Sequence, residues 1–215
     1  MTPSPEMKDL LVLVADRNME FTVKGLLTRP PALGIRVITY DLFQHPWHDA
    51  GCRFNSKEFL RPFVNQYSRS IVILDKEGCG QENQSRTEIE NSIEGEISSS
   101  GWNERAAAIV IEPELENWVW SDSPHVDNVL GWHGKQPSLR EWLRTRGFLQ
   151  GNAAKPDTPK DAFKEALRTA RKAHSSSLFF ELAQKVSFER CTDEAFVKFK
   201  AVLRSWFAET NSGQQ

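Results

Sequence analysis

The chain has few cysteines and no long apolar run. Cys52, Cys79 and Cys191 are an odd number at wide spacing among 215 residues, which argues against a disulfide framework and fits reduced thiols. No apolar segment is long enough to span a bilayer, and the first residues lack the basic and then apolar pattern of a secretory signal. We therefore expect a cytoplasmic protein that has no membrane partner.

A glycine-rich phosphate loop of the form G-x-x-x-x-G-K-[ST] is also absent, which argues against a small-molecule phosphotransferase. The composition argues against a disordered chain, because 39% of the residues are hydrophobic and 26% are charged. At this length the chain can bury one full core.

Charge is divided unevenly along the chain. Residues 1–133 hold 12 Lys and Arg against 20 Asp and Glu, whereas residues 134–215 hold 15 against 9. An acidic first part and a basic second part are compatible with a metal centre beside a surface that holds an anionic polymer. The alternative is that both parts simply have charged faces exposed to solvent, which would give the same counts of charged residues.

Three short runs are apolar at every position, which indicates strands covered on both faces: Leu10–Val14, Ile71–Leu74 and Ala106–Ile111. A segment of mixed polarity, residues 35–43, predicts a further strand. Helical patterns separate these strands, with Asn18 as an expected helix cap, residues 56–67 and 84–100 as helices, and Pro113 in the first turn of another.

This alternation predicts an α/β fold with a mainly parallel sheet flanked by helices. Beyond Trp132 the strand signal ends, and apolar residues recur only at helical spacing. We therefore expect an α/β domain over residues 1–133 and a helical C-terminal region over residues 134–215 that packs on it.

Acidic residues follow each of the three apolar runs. Asp16 follows the first, Asp75 and Glu77 follow the second, and Glu112, Glu114 and Glu116 follow the third. Ligands of parallel sheets bind outside the carboxyl ends of the strands, so these acids are expected to meet there. Carboxylate oxygens suit Mg²⁺ or Mn²⁺. The alternative is that strand-end acids only form turns or cap helices.

The expected ligands of this cation are Asp75, Glu77, Asp16, Glu114 and Glu116. Glu20, in the first turn of the helix after the first strand, is a candidate to position or deprotonate a water molecule, with Asp16 as a further catalytic acid.

Basic residues recur at helical spacing in the second part of the chain. They could follow the phosphate backbone of DNA or RNA, although a solvated face gives the same pattern. The candidates for binding nucleic acid are Arg140, Arg144, Lys164, Arg168, Arg171 and Lys172.

Three other groups of residues have a functional and a structural interpretation. His45, His48 and Cys52 could bind zinc but lack an evident fourth ligand, so a surface loop is the simpler interpretation. Cys79 could be a reactive thiol or a small buried residue. Tryptophans could stack on bases, but core packing is the better interpretation of Trp118, Trp120, Trp132 and Trp142.

The order of these features resembles a TOPRIM-like domain, the metal-binding α/β module of topoisomerases, primases and related nucleases. That family has a Glu-Gly pair after the first strand and a D-x-D element after a later one, at the positions of Asp16-Arg17 and Asp75-Lys76-Glu77 here. The chain is more closely similar to bacterial TOPRIM-related components of methylation-associated antiphage defence systems. Their E-G-x-T-E start is matched by residues 16–20, their acidic segment before a Trp by residues 114–118, and their helical end by Cys191 and Phe196.

The resemblance implies an antiviral defence component that hydrolyses phosphodiester bonds of nucleic acid with Mg²⁺ or Mn²⁺, together with other defence-system proteins. Three positions depart from the family pattern: Asp16, Arg17 and Glu77 stand where Glu, Gly and Asp are usual. The alternative is therefore a non-catalytic subunit that binds nucleic acid or protein within a multi-component defence complex.

Overall fold

The computed structural model describes residues 7–121, 123–189 and 191–209. Four strands alternate with helices in the first part of the chain, and only helices follow in the described residues after the last strand. The strands and helices are β1 (Lys8–Val14), α1 (Arg17–Leu27), α2 (Pro30–Leu33), β2 (Tyr40–Gln44), α3 (His48–Phe54), α4 (Ser56–Leu60), β3 (Tyr67–Asp75), α5 (Arg86–Ile97), β4 (Ala106–Ile111), α6 (Glu116–Val119), α7 (Pro124–Val129), α8 (Leu139–Thr145), α9 (Pro159–Ala170), α10 (Ser176–Lys185) and α11 (Glu194–Phe207).

The four strands form one parallel sheet in the order β2-β1-β3-β4. Every residue of Leu10–Val14 and of Ile71–Leu74 is completely buried, as is expected of strands that have helices on both faces. The predicted α/β fold with a parallel sheet flanked by helices is confirmed, and the predicted strand Ala106–Ile111 has the bounds of β4.

Two predicted elements are shorter than expected. Residues 35–39 lie outside β2. The backbone N–H of Arg36 donates to the Phe207 carbonyl at 2.9 Å, and that of Thr39 donates to the Asp9 carboxylate at 2.8 Å. The predicted helix over residues 56–67 is α4 followed by a 3₁₀ turn (Arg61–Phe63), after which Tyr67 begins β3. A proline in that turn, which has no backbone N–H to donate, accounts for the early end of the α-helix.

Two expected helix starts were wrong. Asp16, and not Asn18, caps α1, because its Oδ1 accepts a hydrogen bond from the backbone N–H of Met19 at 2.9 Å. Pro113 precedes α6 and is not in its first turn. The carbonyl of Pro113 instead accepts a bond from Glu77 N at 3.1 Å, which ties the segment after β4 to the loop after β3.

The outer strand β4 is covered by carboxylates of α5. Glu94 accepts a bond from Ala108 N at 2.9 Å and Glu90 accepts one from Val110 N at 3.0 Å. Lys198 of α11 donates to both glutamates. These bonds satisfy backbone groups that an outer strand otherwise leaves open for another chain to pair with.

The C-terminal helices pack on the α/β part, with α10 lying along α1. A methyl group added to Gly25 of α1 would lie 2.7 Å from the Ala183 side chain, so this approach requires glycine. Arg29 also donates to the Ala183 and Val186 carbonyls at 3.1 and 2.7 Å. Within residues 7–121, 123–189 and 191–209, every helix is too short or too polar to cross a bilayer, and the cytoplasmic location stays a prediction.

Candidate functional site

The carboxyl ends of β1 and β3 mark the point where the chain reverses its direction of travel across the sheet. From β1 the chain moves to β2 on one side, and it then returns to β3 on the other side. Crevices at such a switch point are the usual ligand sites of open α/β sheets. Asp16 lies two residues beyond the end of β1, and Asp75 is the last residue of β3, so both acids flank this point.

Asp75 is buried at this edge, with 7% of its surface exposed. Its Oδ1 is buried and has no hydrogen-bond partner among the described residues. A buried carboxylate oxygen without a partner carries a large desolvation cost, so such groups in native proteins need an explanation. An unfilled ligand position is one such explanation.

Asp49 of α3 reaches the same place from the end of β2. Its Oδ1 accepts a hydrogen bond from the backbone N–H of Asp75 at 2.7 Å. The start of α3 can approach β2 this closely because residue 51 is glycine, where a Cβ would lie 1.9 Å from Nδ1 of His45. The local sequence therefore delivers a second carboxylate beside Asp75.

Glu116 and Lys160 complete the cluster. Glu116 begins α6 and is 4% exposed. Lys160, in the first turn of α9, brings a cation from the C-terminal region. Its ammonium donates to Oε2 of the buried Glu114 at 3.1 Å, and Oε1 of Glu114 accepts a bond from Lys160 N at 2.8 Å. Glu114 is thus already paired, whereas Asp75 is not.

The charges of these residues act on one another. Burial, together with the charges of Asp49, Glu116 and Asp16, raises the pKa of Asp75 well above its usual value. Burial likewise raises the pKa of Asp49, and it raises the pKa of Glu116 to about 7. Burial lowers the pKa of Lys160, but the bond to Glu114 and the charges of the surrounding carboxylates outweigh this effect and raise the pKa.

The structure thus brings together Asp16, Asp75, Glu114 and Glu116 of the expected ligands. Glu77 is exposed, and its carboxylate forms no hydrogen bond or ion pair with a described residue. Glu20 pairs with Lys24 and accepts a bond from Gln44; these bonds outweigh the effect of its burial and lower its pKa. The ligand role of Glu77 and the catalytic role of Glu20 stay predictions.

Sequence reasoning missed two members of the site. Asp49 had a weak signal, because it is an acid in the segment that follows the mixed-polarity strand, five residues beyond the end of β2. Its neighbours His45, His48 and Cys52 drew attention to zinc instead. Lys160 had no such signal, since only the docking of α9 brings it to the sheet.

The six basic residues expected to bind nucleic acid have different environments. Arg140 donates to the Ala153 carbonyl at 3.1 Å and so holds its own loop, and Arg168 pairs with Glu165. Lys164 and Arg171 are exposed. Arg144 bonds weakly to a loop carbonyl, and Lys172 is half-buried. Their role in binding nucleic acid stays a prediction.

The cysteines, histidines and tryptophans with a possible functional role lie in environments that suit a structural role. Cys52, Cys79 and Cys191 are free thiols, the first two buried. His48 bonds to the Ala15 carbonyl through Nδ1 at 3.1 Å, and His45 is buried. Three tryptophans belong to the core, as the packing interpretation predicted: Trp120, Trp132 and Trp142. Trp118 is half-buried and donates to Asp193.

No group of three or more His, Cys, Asp or Glu side chains in the described part of the chain is arranged to hold a metal ion. Mg²⁺, however, is commonly bound by one or two carboxylates, with water and substrate phosphates as the remaining ligands. Asp75, with its unpartnered Oδ1, and the adjacent Asp49 fit that smaller donor set. These two residues are the ones that could hold the cation.

Comparison of the chain with family models, with curated proteins and with solved structures finds no match.

Proposed function

We propose that the protein is a divalent-cation-dependent hydrolase of phosphodiester bonds in DNA or RNA, and that it works with other proteins in antiphage defence. The observation that carries the hydrolase is the unpartnered, buried Oδ1 of Asp75 among further carboxylates at the switch point of the sheet. The defence role is supported by the resemblance to TOPRIM-like proteins alone.

In this proposal Asp75 and Asp49 hold Mg²⁺ or Mn²⁺, which when bound stabilises negative charge on the phosphate and acidifies water. Glu116 accepts the proton of the water that attacks phosphorus, one ester P–O bond breaks, and the leaving oxygen takes up a proton from solvent. Its pKa of about 7 suits a general base, because proton transfer is most effective when the pKa lies near the working pH. Lys160 is half-exposed, so its ammonium can contact a phosphate oxygen.

A cleavage assay tests the proposal. Single-stranded and double-stranded DNA and RNA are incubated with the protein in Mg²⁺ or Mn²⁺. We expect one of these substrates to be cleaved, and the Asp75→Asn variant to lose at least about a hundredfold in rate, as is typical when a catalytic electrostatic contact is removed. The matched control is Asp9→Asn, at the opposite edge of the sheet, which should cleave as the natural sequence does. Absence of cleavage of every substrate with both metals rejects the hydrolase.

A second candidate function is a non-catalytic subunit that binds nucleic acid or protein in a defence complex. It is favoured by the absence, among the described residues, of a three-ligand metal group, and by the ammonium of Lys160 within the acidic cluster. Calorimetric titration with Mn²⁺ separates the two candidates. Binding that Asp75→Asn abolishes supports the hydrolase, whereas binding of nucleic acid without any Mn²⁺ binding supports the subunit.

A further inference from the structure

The two outer strands of the sheet differ in how well they are covered. Backbone groups of β4 are bonded to Glu90 and Glu94 of α5, and the strand is buried from Ala107 to Ile111. In β2, by contrast, four residues are half-buried and Gln44 is exposed. An outer strand that is left open in this way offers its backbone to a strand of another chain.

Every second residue of β2 turns its backbone away from the sheet. Leu10 N donates to the Thr39 carbonyl at 3.1 Å, and His45 N donates to the Val14 carbonyl at 2.9 Å. The odd-numbered residues from 39 to 45 therefore face β1, because the ladder bonds of a parallel pair are evenly spaced. The N–H and carbonyl groups of the intervening residues point outward, and none of them has a hydrogen-bond partner in the described part of the chain: Tyr40, Leu42 and Gln44.

Two exposed hydrophobic side chains flank this edge at equal distances. Val37 is 80% exposed and Trp47 is 65% exposed, the highest values for large hydrophobic residues among those that the structure describes. Each lies five residues from Leu42, the middle residue of β2. In an antiparallel pair of two identical strands centred on Leu42, Val37 of each copy lies opposite Trp47 of the other. Aromatic and β-branched residues are favourable cross-strand neighbours.

The same pairing suits the rest of the edge. Leu42 exchanges both backbone bonds with Leu42 of the second copy, and Tyr40 does so with Gln44, so every outward N–H and carbonyl of β2 gains a partner. Asp41, the charged residue of β2, faces Phe43 of the second copy and is already paired within its own chain. This self-complementarity is what a two-fold interface requires.

Both flanking residues are held in place in the single chain. The Val37 carbonyl accepts a bond from Arg36 at 3.0 Å, and Arg36 is itself paired with Asp9. The backbone N–H of Trp47 donates to Nδ1 of the buried His45 at 3.2 Å. Such a surface is formed before a partner arrives, which reduces the entropy lost on association.

We propose that the outer edge of β2 is a dimer interface, at which two copies of this chain pair antiparallel about Leu42 and join their sheets into one of eight strands. The carboxyl edges of the two sheets then point in opposite directions. The inference is independent of hydrolysis, since it uses none of the side chains of the carboxylate cluster.

Sedimentation of the full chain over a range of concentrations tests the dimer, and we expect twice the mass of one chain. Val37→Glu with Trp47→Glu places like charges at both ends of the interface and should dissociate the dimer. Val37→Glu with Trp47→Lys removes the same apolar groups but pairs opposite charges, so it should dimerise about tenfold more tightly than the first variant. The control Val197→Glu, at an exposed apolar residue of α11, should dimerise as the natural sequence does.

Cysteine cross-linking tests the register. Opposite Cα atoms of a hydrogen-bonded antiparallel pair are about 5.5 Å apart, which a disulfide can span. Leu42→Cys, which meets its own copy, should therefore form an intermolecular disulfide on mild oxidation. The matched control Tyr40→Cys should not, because its two copies are separated by four residues along the strands, roughly 13 Å.

The inference is overturned if the natural sequence sediments as a single chain at every concentration up to its solubility limit. It is equally overturned if the variant with glutamate at both positions dimerises as well as Val197→Glu does. Cross-linking of Tyr40→Cys as readily as of Leu42→Cys overturns the pairing about Leu42.

Discussion

Acids at the carboxyl edge of the sheet and acids elsewhere around it have different surroundings. At the opposite edge, Asp9 accepts bonds from Arg36 and Thr39, and Asp41 accepts bonds from Lys8 and Tyr67. Beside the outer strand, two cations contact the buried Glu90. At the carboxyl edge, by contrast, Asp75, Asp49, Asp16 and Glu116 act on one another, and Lys160 is the cation whose charge is shared among them.

The acids away from the carboxyl edge thus each have a cation or a hydrogen-bond donor as a partner, as is expected of acids that have a structural role. The acids at the switch point are left with like charges as neighbours, which lowers stability and is typical of sites that bind or react. The predictions below compare the two groups of acids in the absence of metal, with EDTA present.

The largest effect is expected at Glu90, an acid of the paired group. Glu90→Ala takes one acceptor from Arg86 and one from Lys198, which keep Glu194 and Glu94, and it leaves the buried backbone N–H of Val110 without its acceptor. The free energy of unfolding should fall by about 3 to 4 kcal/mol, as when one partner of a buried ion pair is removed. Chemical denaturation measures it. The control Glu181→Ala, which breaks an exposed pair with Lys185, should change it by less than about 1 kcal/mol.

Glu116 should make the protein less stable as the pH rises, whereas an acid paired with a cation makes the protein more stable as the pH rises. Its pKa is about 7 in the folded state against 4.5 ordinarily, so the folded state binds the proton more tightly. Its stabilising contribution is complete below pH 4.5 and is lost as the pH rises towards 7. Relative to Glu116→Gln, the natural sequence should therefore lose stability on the order of 3 kcal/mol across that range. Parallel curves for the two proteins would contradict this.

Asp75→Asn should stabilise the protein at pH 7, because it removes a buried acid whose ionised form is disfavoured by burial and by the like charges around it. We expect a gain of about 1 to 2 kcal/mol in the free energy of unfolding, a range common when a functional site is relieved of strain or repulsion. Thermal unfolding checks it. A loss of stability would show that the Asp75 carboxylate is satisfied in the folded protein.

The smallest effect is expected at Asp9, whose pKa is held below its usual value by the bond from Arg36. Asp9→Asn should cost about 1 kcal/mol at pH 7, since the pair is partly exposed. Because the pKa of Asp9 is lower in the folded state than in the unfolded state, Asp9 stabilises the folded state at any pH above its unfolded-state pKa. This contribution disappears as the pH falls through its folded-state pKa. The cost should therefore vanish in acid, and a cost that persists there would reject the ionic explanation.

The sheet was predictable because β1, β3 and β4 each contain a run that is apolar at every position, a pattern that parallel strands covered by helices share. The bounds of β2 were not predictable, since the backbone N–H of Thr39 donates to the side chain of Asp9 and that of Arg36 donates to the distant Phe207 carbonyl. The start of α1 was misplaced for a related reason. Asp16 and Asn18 are both good caps, and only the folded geometry selects Asp16.

The site was predictable in part. Acids that follow parallel strands meet at one edge by topology, and this located Asp16, Asp75 and Glu116. Which acids point inward depends on loop geometry that sequence does not reveal. Glu77 lies two residues beyond Asp75 and is exposed, whereas Asp49 reaches Asp75 from another strand.

Thermal unfolding of the natural sequence and of Asp75→Asn, each with EDTA and with Mn²⁺, tests the central claim most directly. We predict that Mn²⁺ raises the Tm of the natural sequence, by the equivalent of about 2.7 kcal/mol when the ion is at a hundred times its Kd, and leaves Asp75→Asn unchanged. An unchanged Tm of the natural sequence, or an equal rise in both proteins, would contradict the claim that Asp75 is left unpaired in order to hold a cation.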